Sequence, residues 1–432
     1  MTMQRRNLLT VWVAAAFGAA LSAPLPVAAQ ELGFDDLAVA SRPAAETQRV
    51  AELTFDKEAL YARLMAQERA EHSSSDHMSF LDRGLRTSPL RADAGSVAAR
   101  LADSTLGDGS SAGEPMPAAG QMPASINTSV FAGMHPSIKG VCVVAGTPTA
   151  AGMRVRWYGR NATANSQFWS ATKIVQAYNL AALVGKKRPD LSLDEMVLRP
   201  AGGASPVIPV PALLQDIVSY DAGVPRSNGG SEMLGRFLLR EQRQEALRSY
   251  TGHAAQLAGG YGAAALIQQP ELVTRGGVVI ARAPAGVGTP GPNLVSAYDM
   301  ARVVAMAAWH CRLSADSRIP GAQWNSLRTV MRAMGEDSAR YLDVALQQLG
   351  LTDKIKDPVI ATKLGFGISS ASGLAELTYV GTLQFTDLRF PEQPVRRVCF
   401  ALKGAASNAV ALDARVAVEV TEIVRLLANG RL

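Results

Sequence analysis

At 432 residues, with 48% hydrophobic and 19% charged residues, the chain is long enough to bury a large core and has the composition of a globular protein, not a disordered or fibrous one. Its formal charge of +6 is spread along the sequence, with no dense Lys/Arg block and no basic stripe interleaved with aromatics, which argues against a nucleic-acid partner. Neither the five histidines nor the three cysteines (Cys142, Cys311, Cys399) show metal-ligand spacing, so no metal and no cofactor is expected.

The N-terminus, "MTMQRRNLLTVWVAAAFGAALSAPLPVAAQ", reads as a signal peptide over residues 1–29. Arg5 and Arg6 supply the charged start, Leu8 to Leu21 an apolar run, and Val27-Ala28-Ala29 a small-residue cleavage pattern. The adjacent arginines also fit an incomplete twin-arginine signal. Periplasmic or secreted localisation is therefore expected, and no later segment has the uninterrupted apolar length of a transmembrane helix. In an oxidising compartment the three cysteines, each in an apolar context, are expected to be buried thiols, with a single disulfide as the alternative.

Residues 30–130 read as an N-terminal extension. Between Ala44 and Glu71, Val50, Leu53, Leu60 and Leu64 fall at helical spacing, which predicts either a docking or a mobile helix. From His72 to about Thr128, Ser, Gly, Ala, Pro and Asp dominate, and this stretch is expected to be a linker that does not pack.

The main domain is placed at 131–432. "IKGVCVVAG" and "MRVRWYGRN" are β-rich runs around a turn-forming "TPTAAG", a hairpin. "QFWSATKIVQAYNLAALV" then turns helical, and a helical insertion follows over about 185–355. "VIATKLGFG", "LAELTYVGTLQF" and "VRRVCFALKGA" return to strand, and "LDARVAVEVTEIVRLLANG" closes as a helix. Two strands, an insertion, three strands and a helix describe an α+β fold: an antiparallel five-stranded sheet that the chain leaves and rejoins, with flanking helices and an all-helical inserted subdomain.

Ser170 and Lys173 form S-x-x-K, a spacing that puts both on one helical face, so that a buried lysine with a depressed pKa could reach and deprotonate the hydroxyl. By itself the pattern equally describes a capping serine and a solvated lysine. Within the insertion, "VPRSNGGSEML" offers Ser227-Asn228, and "SYD" at Ser219 to Asp221 is a poorer match to the same role. On the first returning strand stand Lys363-Leu364-Gly365, followed by Phe366.

In this order and these element contexts, over about Pro136 to Leu432, the chain resembles the serine β-lactamase and penicillin-binding protein superfamily, whose motifs are S-x-x-K, S-x-N or S-D-N, and K-T-G on a strand. The resemblance implies a β-lactamase/transpeptidase-like fold and a serine acyl-enzyme hydrolase acting on a small peptide, amide or β-lactam-like substrate. Ser170 would be the nucleophile and Lys173 its base. Ser227 and Asn228 would serve proton relay and binding, and Lys363 would orient an anionic substrate. Gly365 would allow close approach, and the backbone N–H groups of Ser170 and Phe366 would form the oxyanion hole.

Departures from the pattern are expected to matter. One residue is missing between Ser227 and Asn228, so either Arg226 stands where the relay serine belongs or Gly229 stands at the asparagine. Leu364 replaces the hydroxyl of K-T-G. In "QQPELVT", Gln269 holds the place of the water-activating Glu of a Glu-x-x-Leu-Asn loop, Val273 holds that of its Asn, and Glu271 is out of register. A non-catalytic binding or scaffold protein, or an esterase or amidase without β-lactam affinity, is the alternative. The Gly-rich "LAGGYGAAAL" follows no strand and is not read as a phosphate loop, and Ser296 is expected to cap a helix.

Overall fold

The computed structural model describes residues 50–71, 94–103, 112–203, 205–220, 222–287 and 290–432. The signal-peptide reading of 1–29, about half of the extension and Asp221 lie outside these residues.

One antiparallel sheet organises the chain. β1 (Glu114–Pro115) is a two-residue edge; β2 (Ile138–Thr149) and β3 (Gly152–Arg160) form the first hairpin, and β11 (Ile355–Ile368), β12 (Ala375–Asp387) and β13 (Val395–Ala406) return after the insertion. Their order is β1-β3-β2-β13-β12-β11, so the five long strands form the expected sheet and β1 extends it to six. The hairpin is tighter than the turn segment suggested: pairing runs to Thr149 opposite Gly152, leaving only Ala150-Ala151 between strands. Gly152 has φ +115°, a conformation that a side chain would strain.

Both faces are covered. On one lie α1 (Lys57–Glu71), α9 (Tyr341–Gln348) and α10 (Ala409–Ala428). The other carries α2 (Ala94–Ala102), α3 (Lys173–Lys187), α7 (Ala297–Ala308) and α8 (Trp324–Gly335). Strands buried on both faces read as near-continuous apolar runs, as "VCVV" and "VCFAL" do. Ser296 caps α7 through its side chain, as expected.

Two features of the extension pack. α1 docks on α10, with Leu60 and Leu64 buried and Lys57 paired with Glu419 at 2.8 Å, so the helix is of the docking kind. Within the stretch expected to be an unpacked linker, α2 buries Val97 and Leu101 against α8 and β11, and Met116 is buried beyond it. A composition rich in small and polar residues hid three well-spaced apolar anchors.

The insertion is not all-helical. Besides α4 (Val210–Ser219), α5 (Val224–Gly235) and α6 (Arg240–Thr251), it holds a small antiparallel sheet of β5 (Met196–Pro200), β6 (Ile208–Pro209), β8 (Pro270–Thr274) and β9 (Val279–Arg282). A second sheet joins β4 (Ser166–Gln167), β7 (Gln256–Leu257) and β10 (Asn293–Val295). Strands this short leave too little alternation to be read from sequence. The cysteines are all free; Cys142 and Cys399 are buried, whereas Cys311, in the 3-10 turn after α7, is exposed, contrary to the expectation for it.

Candidate active site

Ser170 lies on a 3-10 turn (Trp169–Thr172) that leads into α3. The turn is held against the free edge of the sheet. Trp169 has φ +48°, unusual for a residue with a side chain and a local strain that the surroundings must hold. Its indole N–H donates to Glu376 Oε2 at 2.9 Å, and Glu376 in turn pairs with Lys403 at 3.0 Å. The ring covers Gly367, where any Cβ would come within 2.6 Å of it. Two residues earlier on β11, a Cβ on Gly365 would lie 2.7 Å from the Ala171 nitrogen and 2.8 Å from the Phe168 oxygen. Thr378 Oγ1 closes the junction, donating to Phe168 O at 2.9 Å. Glycines at 365 and 367 thus set the approach of strand to turn, and Phe366 between them is half-buried beside Ser170's turn.

Lys173 opens α3 and is fully buried. Its Nζ donates to Ser227 Oγ at 3.0 Å and to Asn228 Oδ1 at 2.6 Å, and these, not Ser170, are its hydrogen-bond partners among the described residues. The direct Lys173–Ser170 bond inferred from helical spacing is not made, because Ser170 belongs to the tighter turn and the lysine is drawn toward α5. Burial, then the charge of Lys363, pulls the Lys173 pKa down to about 6, against a smaller opposing pull from Glu232. A neutral amine has two N–H donors and one lone pair. Ser227 and Asn228 take the donors, which leaves the lone pair free for a proton.

Ser227 and Asn228 lie in the first turns of α5, a helix and not a loop. The Ser227 hydroxyl donates to Ile217 O at 2.9 Å and accepts from Lys173, so in this arrangement it orients the lysine. Arg226 points elsewhere, paired with Asp216 at 2.9 Å, and Gly229 packs under the Ala264 carbonyl.

The hydroxyl that faces Ser170 belongs to Tyr220. This residue ends α4 in the left-handed conformation, φ +61°, which turns its ring into the site. Its hydroxyl accepts from Lys363 Nζ at 2.5 Å, and the Ser170 side chain draws its pKa down against the larger effect of burial. Burial raises its pKa, so the phenol keeps its proton. The ring lies between the lysines, 4.1 Å from Lys363 Nζ and 5.3 Å from Lys173 Nζ. The sequence pattern passed over Tyr220 because the family motif looks for serine; the "SYD" segment was the available signal.

Lys363 is fully buried on β11, bonded also to Leu364 O at 2.9 Å. Burial lowers its pKa to about 8, with Asp337 behind it opposing the shift. Asp337 accepts from Thr362 Oγ1 at 2.8 Å. Leu364 is buried in the apolar cluster on the α10 face, so no hydroxyl stands where the resemblance would place one.

Glu271 lies on β8, clamped by Arg282 at 2.6 Å and Arg199 at 3.4 Å, and the Arg282 bond holds its pKa down. It belongs to the small sheet. Glu232, which sequence reasoning missed, lies one turn beyond Asn228 on α5, nearly buried, with its pKa raised by burial. It accepts the Tyr261 N–H at 2.7 Å, and Tyr261 bonds Thr172 Oγ1 at 3.2 Å beside Lys173. A Ser296–His253–Asp299 grouping also occurs, but Ser296 Oγ donates to Asp299 as part of the α7 cap and is fully buried, so it offers no nucleophile. Among the described residues no cluster could hold a metal.

The strand order and the interrupted sheet give the expected β-lactamase/transpeptidase-like fold, and Ser170, Lys173 and Lys363 come together at the free edge of that sheet. No family model matches the chain, and no curated protein matches it. Solved structures do. A β-lactamase from Burkholderia vietnamiensis is 15% identical, with TM-score 0.39, covering 66% of this chain and 90% of that one. PBP-A is 11% identical, TM-score 0.42, with 72% and 100% covered. The C-terminal domain of the Bacillus licheniformis BlaR penicillin-receptor is 9% identical, TM-score 0.36, with 71% and 99% covered.

Proposed function

We propose that the protein is an exported serine hydrolase, periplasmic or secreted, that forms an acyl-enzyme on Ser170 with a peptide, amide or β-lactam-like substrate. The observation that carries this is the pairing of two buried lysines around Tyr220: Lys363 donates to the Tyr220 hydroxyl at 2.5 Å, and Lys173, held by Ser227 and Asn228, is kept largely neutral by burial.

Lys173 supplies the base. In a free enzyme catalytic hydrogen bonds are often long and tighten only with substrate, which accommodates its present distance from Ser170. Ser170 Oγ attacks the carbonyl carbon, its proton passing to the Lys173 lone pair. Tyr220 gives its proton to the departing nitrogen and regains one from Lys173. The Ser170 and Phe366 amides on the turn and the strand edge hold the oxyanion, and Lys363 attracts a substrate carboxylate. Because Leu364 offers no hydroxyl, that carboxylate is held by charge more than by a directed bond.

Incubation with a fluorescent penicillin and with a fluorophosphonate, beside Ser170→Ala, tests the proposal. Labelling of the wild type by either probe, lost in Ser170→Ala, is expected. Labelling by the fluorophosphonate alone would point to an esterase or amidase. Absence of both labels on folded protein would leave a binding or scaffold role, the reading that Leu364 and the ion-paired Glu271 favour.

A further inference from the structure

The Gly-rich "LAGGYGAAAL" stretch has no part in the steps above, yet it is built tightly into the site. It leaves β7 and is latched by Asn293 on β10. Asn293 is fully buried, and its side chain accepts the Gly259 N–H at 2.7 Å and donates to Gly260 O at 3.0 Å. Its own backbone N–H donates to Gln167 Oε1 at 3.0 Å, which ties the loop to the strand leading into Ser170's turn. Gly259 has φ +77°, and a Cβ on Gly260 would lie 2.6 Å from Gly291 O, so neither position has room for a side chain without strain.

This anchoring fixes Tyr261. Its N–H donates to Glu232 Oε1 at 2.7 Å, its hydroxyl bonds Thr172 Oγ1 at 3.2 Å, and its ring stands 5.6 Å from Lys173 Nζ. Tyr220 covers the same nitrogen from 5.3 Å. Lys173 is fully buried, whereas Tyr261 is only half-buried and Gly262 beyond it is exposed, which makes the loop one thin wall of the lysine's enclosure. A ring in this place has two opposed effects. Its face favours an ammonium, while the water it displaces would have favoured one more. Burial is the largest influence on Lys173, whose pKa falls from 10.5 to about 6, so the exclusion of water wins.

We infer that Tyr261 is a positioning residue: its ring shuts water away from Lys173 and so keeps the amine unprotonated and ready to accept the Ser170 proton. Its catalytic use rests on the acylation reading proposed above, so the test reads the lysine directly as well as through labelling.

Tyr261→Ala and Tyr261→Phe are compared with wild type in the full chain. Titration of Lys173 is followed by NMR of isotopically labelled lysine side chains, with Lys173→Met identifying the resonance. In Tyr261→Ala the midpoint should rise by about one unit or more, tenfold in the protonation equilibrium, and the acid limb of the labelling rate should rise with it. Tyr261→Phe keeps the ring and loses only the Thr172 bond, so its midpoint should stay near 6. Tyr261→Ser repeats the test if Tyr261→Ala does not fold. A merely structural role would slow labelling and leave the midpoint in place. An unchanged midpoint in Tyr261→Ala, an equal shift in Tyr261→Phe, or a wild-type midpoint at the ordinary lysine value would overturn the inference. Protein that takes no label while its Lys173 midpoint still rises in Tyr261→Ala would sink the acylation reading and leave the shielding role standing.

Discussion

Replacing Tyr220 by Phe removes one oxygen and keeps the ring. The ring's contacts with both lysines, 4.1 Å and 5.3 Å from their Nζ atoms, are retained, so the change isolates the hydroxyl that Lys363 bonds. If that hydroxyl passes the proton, acylation should slow by about 10²–10⁴-fold, the usual worth of a positioned acid or base. This corresponds to about 2.7–5.5 kcal/mol of barrier. The fold loses a hydrogen bond to a charged group, about 1.5–3 kcal/mol, which a melting curve would register separately. Ser227→Ala is the control, because Ser227 only orients Lys173 and satisfies Ile217 O. One neutral bond is worth about 1 kcal/mol, so a loss of roughly tenfold or less is expected there. The assay is the second-order rate of labelling by a fluorescent penicillin or fluorophosphonate, measured on variants shown to be folded. A Tyr220→Phe rate within a factor of about three of wild type, under 1 kcal/mol of barrier, would refute the role given to Tyr220. A larger loss in Ser227→Ala than in Tyr220→Phe would return the relay to Ser227.

The labelling rate should be bell-shaped in pH: it rises as Lys173 loses its proton near 6 and falls as Lys363 loses its charge near 8, and a flat profile between 5 and 9 would contradict both assignments. Glu232 holds the Lys173 pKa up, so Glu232→Gln should move the acid limb below 6; movement the other way would show that the carboxylate does not act on this lysine. Gly365→Ala should abolish labelling while leaving much of the fold intact by circular dichroism, since its Cβ would strike the backbone of Ser170's turn; labelling at the wild-type rate would show that strand and turn are not held as described. Leu101→Ala should cost about 2–5 kcal/mol in urea unfolding, as for other buried leucines, and no change in midpoint would mean that α2 is not docked.

Periodicity made the sheet legible, because its long strands carry runs of β-branched and apolar residues that nothing else in the chain matches. Ser170, Lys173 and Lys363 were also legible, each being tied to a short pattern on one element. What escaped the sequence depends on how separate elements meet. Val97, Leu101 and Met116 are few enough to vanish in a Ser/Gly/Ala-rich stretch, yet each is buried where α2 and its continuation cross the sheet's helical face. The middle motif was legible only in part, for a related reason. A tripeptide pattern assumes that the hydroxyl facing the nucleophile and the amide facing the lysine stand on one turn. Here Tyr220, set in the left-handed conformation at the end of α4, supplies the hydroxyl, and Asn228 on the following helix supplies the amide. Spacing along the chain could not reveal that division, because the two side chains stand on successive helices and both reach Lys173. Inserting or deleting a residue between them therefore disturbs the site less through motif spacing than through the angle at which α5 leaves Tyr220.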